Sequence, residues 1–332
     1  MVTSSATAQR SRRLSAQGRA VGSRLLHIVL VLVLVSFSTA LLVDFIPGEP
    51  AFAVIGESAT PDQVAEFNRQ TGLDRPLLER YGAWIGNVVT GDLGSSFRTR
   101  ETVTDALATR LPVTLELMVL ALGMALVVAV PLGVYTAWRR RGPLDQTTTF
   151  VTSLVIATPV FVLGLFLSYY LSVKLGLFPV TGYRKLSNGL GENLQYIFLP
   201  ALTMALPEIA VFTRLLRADM VSTLQEDHIL AARAAGLPSR TVLWKYALKP
   251  SSFTLLTLAG LSVGRLLGGA VIIERIFGLP GMGSYLFESI SSKDFMVVQA
   301  VVLLIAVAYV LINALIDGLY HVLDPRLRTR KA

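Results

Sequence analysis

Three charged side chains lie deep within apolar stretches of the sequence, namely Glu208, Arg214 and Arg265. A charge inside a bilayer is costly, so it needs a bundle interior or a water-filled cavity, and it marks a transport pathway by default. Arg265 is the strongest candidate, with an ion pair to Glu208 as the purely structural alternative. The spacing predicts a translocation path lined by these three residues.

The sequence has few of the residue patterns that form covalent catalytic sites or metal sites. There is no cysteine, and the three histidines, at 27, 228 and 321, are far apart without an H-E-x-x-H pattern. No phosphate-binding G-x-x-x-x-G-K-[ST] loop and no G-x-S-x-G or S-x-x-K motif occurs. We therefore expect no catalytic residue and no metal site, and ATP cannot be bound by a P-loop in this chain.

Composition indicates which elements must position the charges. Of the 332 residues 53% are hydrophobic and 16% charged, and the mean hydropathy is +0.59. Stretches of about 20 apolar residues suit a bilayer. They predict an all-α membrane protein with six transmembrane helices, at 25–46, 112–137, 148–172, 197–216, 254–274 and 296–316. The fourth is kinked by prolines, and the first is too long for a cleaved signal peptide.

Charge predicts the orientation of these helices. Lys and Arg are more numerous in the tails 1–24 and 317–332, at Arg139–Arg141 and in 217–253 than in the other connections. By the positive-inside rule both termini are cytoplasmic. The net charge of +8 is thereby explained without a nucleic-acid partner.

The outer connection, 47–111, is predicted to be a small helical segment. Thr60-Pro61-Asp62-Gln63 is a capping box that starts one helix, which Gly72 ends, and a second helix starts at Asp74. The second helix carries one apolar stripe. It indicates either a docking platform for an external partner or packing onto the chain's own helices.

The inner connection, 217–253, is predicted to form a helix–turn–helix elbow. Thr223 to Glu226 form a capping box for a helix over 224–235, and Gly236 is its stop. A second helix starts at Ser239 and ends before Pro250. The first helix carries a small, smooth exposed face made by Leu224, His228, Ala231, Ala232 and Ala235. Such an elbow suits a docking surface or a place in the headgroup interface.

Other intramembrane residues have structural interpretations. Gly260, Gly264 and Gly268 form a small-xxx-small face that predicts close packing of the fifth span on another helix. Arg217 and Glu274 lie near span ends, as does Asp44, and are expected to reach the membrane interface.

Several segments of the sequence, which follow one another in the same order as in the family, together resemble one protein family. They are Ala231–Leu237, Ile46–Pro50, Gly72–Pro76, Gly91–Arg98 and Glu274–Gly283, with Asn313–Asp317 and Asp324–Arg326 in the tail. Together they resemble the B-type permease subunit of the dipeptide/oligopeptide/nickel family of ATP-binding-cassette (ABC) importers. Two positions depart from the general pattern of the family. Leu230 stands where that pattern has Glu, and Pro250 lies one residue beyond the position at which the pattern has its proline. The departures leave contacts at Leu230 open.

The resemblance implies a type I importer permease fold and a role for the elbow. The helix 224–235 would be the coupling helix that docks on a cytoplasmic ATPase. Its expected contact residues are Glu226, Asp227, Ala231, Ala232, Arg233, Gly236 and Leu237. The implied partners are a homologous second permease, two ABC ATPases that bind ATP and Mg²⁺, and an extracytoplasmic solute-binding protein. The location would be a bacterial or archaeal cytoplasmic membrane.

Alternative functions remain at this stage. Within the same machinery the solute would be a peptide, with nickel, glutathione, haem or an oligosaccharide as alternatives. A secondary transporter that uses Glu208, Arg214 and Arg265 as a relay leaves the capped elbow unexplained. An embedded enzyme lacks any recognisable set of catalytic residues.

Overall fold

The computed structural model describes residues 26–41, 50–56 and 58–323. The regular elements in these residues are helices, and the pairing of Ser95 with Thr102 is an isolated bridge outside any strand. The predictions for the tail 1–24, for Asp44, for Ile46–Glu49 and for the tail after 323 lie outside the described residues. The fold class predicted from the sequence, an all-α membrane protein, is confirmed.

The described α-helices are numbered in chain order, and the π-helical and 3₁₀ segments are left unnumbered. They are α1 (Leu26–Leu41), α2 (Pro50–Ile55), α3 (Pro61–Thr71), α4 (Leu77–Val89), α5 (Val103–Trp138), α6 (Pro143–Ala157), α7 (Val160–Leu167), α8 (Leu190–Thr223), α9 (Asp227–Ala234), α10 (Ser239–Thr241), α11 (Leu248–Phe277), α12 (Met282–Ser291) and α13 (Phe295–Leu323). A π-helical segment, Ser168–Lys174, extends α7, and another, Val242–Ala247, joins α10 to α11. The 3₁₀ turn Leu186–Asn188 precedes α8.

Four helices in the described ranges are long and apolar enough to cross a membrane: Val103–Trp138, Leu190–Thr223, Ser239–Phe277 and Phe295–Leu315. The predicted span 148–172 is broken, because α6 and the helix from Val160 to Lys174 meet at 107°. Pro159 explains the break, since its ring excludes the preceding Thr158 from helical geometry. α1 is apolar but shorter. The total of six crossings therefore stays a prediction.

The chain divides into two compact units. The first comprises residues up to 104 together with 289–311. In it α3 has the predicted capping box at Thr60 and ends at Gly72, whose φ is 71°. α4 begins at Leu77 and not at Asp74, because Pro76 at its N-cap holds an extended conformation. Its apolar stripe packs onto the chain's own helices, which is one of the two predicted alternatives: Trp84 is buried, and Tyr81 contacts Ser36 and Phe37 of α1.

The second unit comprises residues 105–288 together with those from 312 onward. α8 is its central helix and packs against α6, α7 and α11. Two glycines allow close approach to α8, because a Cβ at Gly133 would meet Leu216 at 3.0 Å and one at Gly164 would meet Thr203 at 3.2 Å. Pro200 and Pro207 lie inside α8, which remains one helix of 34 residues. The kinked fourth span of the sequence is therefore the helix that organises this unit.

Candidate functional site

The first helix of the elbow begins later than the sequence predicts, and a different residue is its N-cap. Thr223 does not cap α9 but is the last residue of α8, and its Oγ1 lies 3.1 Å from Ser251 Oγ. The N-cap of α9 is Glu226, without a side-chain cap hydrogen bond. The predicted helix 224–235 is thus shortened to Asp227–Ala234. The predicted second helix ending before Pro250 is also wrong, because Ser239 starts a helix that continues to Phe277.

The end of α9 is as predicted. Gly236 has a φ of +75°, its amide donates to Arg233 O at 3.0 Å, and the amide of Leu237 donates to Ala232 O at 3.2 Å. These two bonds form a Schellman motif, for which glycine is the favoured residue because it adopts positive φ without strain. The motif turns the chain sharply into α10.

α9 has one face packed and one face open. Ile229 is fully buried and Ala232 is 8% exposed, so both face the chain's own core. The exposed residues of α9 are Asp227, His228, Leu230, Ala231, Arg233 and Ala234, and Ala235 directly after the helix is exposed as well. The placement of Ala232 on the docking surface is therefore corrected. The exposed leucine beside three alanines forms a small apolar surface, which we call the α9 face.

A buried ion pair connects α6 to α8 close to this elbow. Asp145 is 4% exposed, and its carboxylate accepts from Arg217 Nε at 2.5 Å and from Arg217 Nη2 at 2.7 Å. The amide of Arg141 donates to the same carboxylate at 2.8 Å. This two-pronged geometry is the strong form of an Arg–carboxylate pair. Arg217 is thus held by Asp145, a partner that its position at the end of a span did not predict.

Two of the three predicted path residues come together. Arg265 Nη2 donates to Glu208 Oε2 at 2.9 Å and to Ser262 Oγ at 2.6 Å, and Ser262 Oγ donates to Glu208 Oε2 at 2.7 Å. Glu208 is buried, whereas the side chain of Arg265 is half exposed. Arg214 is exposed, and in the described part of the chain no ion pair joins it to the other two. The ion pair that was the structural alternative therefore forms.

The side chain of Arg265 is half exposed, and part of its guanidinium group remains available to donate further hydrogen bonds. Its Nε and Nη2 atoms make the bonds to α8, and among the described residues Nη1 has no hydrogen-bond partner. Arg265 lies on an open stripe of α11 with Leu261, Gly268 and Ile272. A charge that is fixed by a buried partner yet open to one side can receive an anionic group.

The glycine face of α11 is not the face that packs on α8. The buried side of α11 carries Ala259, Ser262, Leu266 and Ala270. Gly260 and Gly264 are half buried, and Gly268 is exposed with no described atom within 4 Å of a Cβ built there. Close packing by Gly268 within the described chain is therefore not observed.

Glu274 does not lie where the sequence predicted, at the membrane interface. Glu274 is fully buried and accepts from Thr114 Oγ1 at 2.6 Å and from the amide of Ser284 at 2.9 Å. A Cβ at Gly281 would collide with this carboxylate. Glu274 does not reach the interface, because α12 returns over it and supplies donors. The segment Glu274–Gly283 is thus a packed junction between α11, α12 and α5.

Glu116 has a partner outside the apolar spans. Tyr183 Oη donates to Glu116 Oε2 at 2.7 Å. Burial raises the pKa of the Tyr183 phenol above its ordinary value, and the hydrogen bond to Glu116 raises it further. The phenol therefore stays protonated and remains a donor.

Comparison with known proteins identifies the chain's family. Residues 129–329 match the family described as "Binding-protein-dependent transport system inner membrane component", and residues 19–118 match the N-terminal component of the same systems. The chain belongs to this family. It is therefore a membrane permease of the ABC-importer class.

Individual relatives cover nearly the whole of this permease. A protein of Sinorhizobium fredii named "Probable peptide ABC transporter permease protein" is 34% identical over 305 residues, which are 92% of this chain and 97% of the relative. The dipeptide transport system permease protein of Alkalihalophilus pseudofirmus is 31% identical over 325 residues, covering 92% and 98%. The glutathione transport system permease protein of Shigella flexneri is 35% identical over 306 residues, covering 92% and 97%.

A solved structure shares the permease fold. A chain of the MetNI methionine ABC transporter, in an inward-facing conformation, aligns with a TM-score of 0.56 at 16% identity. The alignment covers 66% of this permease and 96% of that chain. The type I importer fold expected from the sequence is confirmed by this similarity.

Sequence reasoning missed two polar partners in the permease core. Asp145 was not singled out, although an acidic residue two places after Pro143 marks the first turn of α6. Thr114 gave no signal, because its role depends on Glu274, which is 160 positions away. Distances of that length along the chain are invisible to local patterns.

Proposed function

We propose that this permease translocates di- or oligopeptides, received from an extracytoplasmic solute-binding protein, and that ATP hydrolysis in partner subunits drives the movement. The chain would pair with a homologous permease and with two ABC ATPases, which bind ATP and Mg²⁺. The names of the relatives support a peptide class of solute, including the tripeptide glutathione. Nickel, haem and oligosaccharides remain alternatives within the same machinery.

The α9 face is the observation that carries the coupling role. Ile229 and Ala232 anchor α9 to its own chain, so a push on Leu230 or Ala231 is transmitted to α11 through the continuous helix from Ser239. A leucine side chain flanked by small alanines presents an apolar surface that a groove in another protein can bury. A rigid helix with a smooth open surface is what coupling to a moving ATPase requires.

Orientation follows from the same assignment. The elbow would lie in the cytoplasm, as would both termini, in a bacterial or archaeal cytoplasmic membrane. The helical segment from α2 to α4 would then face the outside. Its helices, of which α3 has a capping box, suit a scaffold for the binding protein.

Copurification tests the coupling role. The tagged chain is purified from its native membrane as wild type, as Ala231→Trp and as Ala83→Trp, a control at an exposed position in the outer segment. We expect a second permease and P-loop ATPases with the wild type and the control, and loss of the ATPases with Ala231→Trp. A chain recovered alone that still transports peptides in ATP-free liposomes would instead support a secondary transporter.

The path role of Arg265 is tested by charge selectivity. Arg265→Gln removes the open donor while Glu208 keeps its bond from Ser262, so uptake of acidic peptides should fall relative to basic ones. Arg275→Gln is the matched control, because Arg275 is an exposed residue on the same helix that pairs with Glu288 at 3.6 Å. Equal uptake across peptide charges in both variants would remove Arg265 from the path.

A further inference from the structure

A two-chambered cleft lies between the end of α5 and the start of the helix that leads into α11. Its first chamber, about 300 Å³, is lined by Pro131, Val134 and Tyr135 on one side and by Leu243 and Trp244 on the other. The second chamber, about 390 Å³, extends towards the end of α9. Both volumes fall in the range of small-molecule sites.

The two chambers share part of their lining but differ in chemistry. Trp138, Ser239 and Leu243 line both chambers, so the two chambers adjoin. The first chamber is almost entirely apolar, whereas the second is open to Arg233. An apolar chamber joined to a polar one matches a ligand with a hydrocarbon part and a polar head.

The charge of the cleft selects the kind of head. Arg240 lines the first chamber and Arg233 the second, and no Asp or Glu of the described chain lines either. In the same part of the chain neither guanidinium is held by an ion pair, in contrast to Arg217 and Arg265. Two cations without a fixed counter-charge attract an anion.

The surroundings place the cleft at a membrane surface. Tyr135, Trp138 and Trp244 are each 40% exposed or more, and the guanidinium of Arg139 lies 5.2 Å from the centre of the Trp138 ring. Aromatic rings of this kind collect at the headgroup level of a bilayer. The exposed stripe of α5 continues from Val127 through Pro131 to this position.

We propose that the cleft binds one anionic phospholipid, with an acyl chain against the apolar chamber and the phosphate between Arg233 and Arg240. The topology proposed above puts this lipid in the cytoplasmic leaflet, but the contact itself does not depend on the transported solute. The lipid would connect the end of α9 to α5, and hence the coupling elbow to the bilayer. Basic pockets between membrane helices are the usual recognition sites for such headgroups.

The tryptophans allow a direct measurement. The chain has three, of which Trp138 and Trp244 line the cleft while Trp84 lies in the first unit. The full chain is reconstituted into phosphatidylcholine vesicles containing increasing fractions of phosphatidylglycerol with brominated acyl chains, and quenching is recorded. A site with preference for the anionic lipid saturates at low mole fraction, whereas bulk lipid quenches in proportion to its fraction.

Matched variants assign the preference to the cleft. Arg240→Gln should weaken the apparent preference about fivefold, the effect of one basic residue at an anionic surface. Lys249→Gln removes an exposed cation at the same end of α11 and should leave the preference unchanged. Ser239→Phe fills the region common to both chambers without adding a tryptophan and should abolish saturation, which gives a second readout if Arg240→Gln fails to fold.

Further arms distinguish the source of the anion. Glycerol phosphate in the buffer should not displace the quenching lipid; displacement would mean a soluble anion site and would overturn the proposal. Quenching proportional to mole fraction in the wild type would overturn it as well. So would loss of cleft quenching when partner subunits are bound, because a protein would then cover the cleft.

Discussion

The junction at Glu274 makes the sharpest prediction about stability. Glu274→Ala removes a fully buried carboxylate that accepts hydrogen bonds from Thr114, from Ser284 and from the amide of Gly283. Truncation leaves all three donors without an acceptor. The space around the carboxylate is tight, because a Cβ on Gly281 would collide with it. The helices α11, α12 and α5 would lose their common polar contact.

The magnitude follows from these donors. Each buried donor left unsatisfied costs about 1–3 kcal/mol, and a water that enters the void recovers part of this. We expect Glu274→Ala to destabilise the chain by about 3–5 kcal/mol. The matched control is Glu288→Ala, because the Glu288–Arg275 pair is exposed and long, and such a pair contributes below about 1 kcal/mol.

Thermal unfolding of the purified chain in detergent measures the difference. At roughly 2 °C per kcal/mol for a chain of this size, Glu274→Ala should lower the midpoint by about 6–10 °C and Glu288→Ala by less than about 2 °C. Glu274→Gln should fall between them, because the amide keeps one acceptor oxygen but adds a donor. Equal midpoints for the two alanine variants would refute the buried hydrogen-bond network.

Two further contacts give predictions of the same kind. Arg217→Lys cannot reproduce the two-pronged bond to Asp145, so we expect a loss of about 1–2 kcal/mol in chemical unfolding, against under about 1 kcal/mol for Arg69→Lys at an exposed pair; a larger effect at Arg69 would contradict this. Asp294→Ala removes the acceptor for Ser96 in the first unit, so protease should cut residues 92–101 several times faster, and an unchanged cleavage rate would show that the contact does not hold that segment.

Local patterns were sufficient for most of the helices. Apolar stretches of bilayer length predicted α5, α8, α11 and α13, because a helix of that length needs no partner to be recognised. The capping box at Thr60 and the stop at Gly236 were also right. Both depend only on residues within one turn.

The errors have a common physical cause. Thr223 matched a capping pattern, but a helix already in progress and a hydrogen bond to Ser251 outweighed it. Glu274 was near the end of an apolar stretch, yet its burial depends on α12 folding back over it. Ala232 was assigned to the open side of α9, and the packing of its neighbours decided otherwise. In each case a tertiary contact overrode a local preference.

The recognition of the family depended on order rather than on any single site. An Ala-rich loop ending in Gly236 is a weak signal alone, and its departure at Leu230 made it weaker. In the structure Leu230 is on the open side of α9, where it is 53% exposed. The departure therefore lies within the surface proposed to meet the ATPase.

The proposed contact between the α9 face and an ATPase can be detected by site-directed photocrosslinking. Because the chain has no cysteine, Ala231→Cys gives it a single site for a maleimide photocrosslinker, and the tagged chain is purified from native membranes after crosslinking, with Ala83→Cys in α4 as the matched control. We predict that mass spectrometry finds a P-loop ATPase attached at position 231 and none at position 83. Attachment at 231 only to lipid or to this chain itself would contradict the claim.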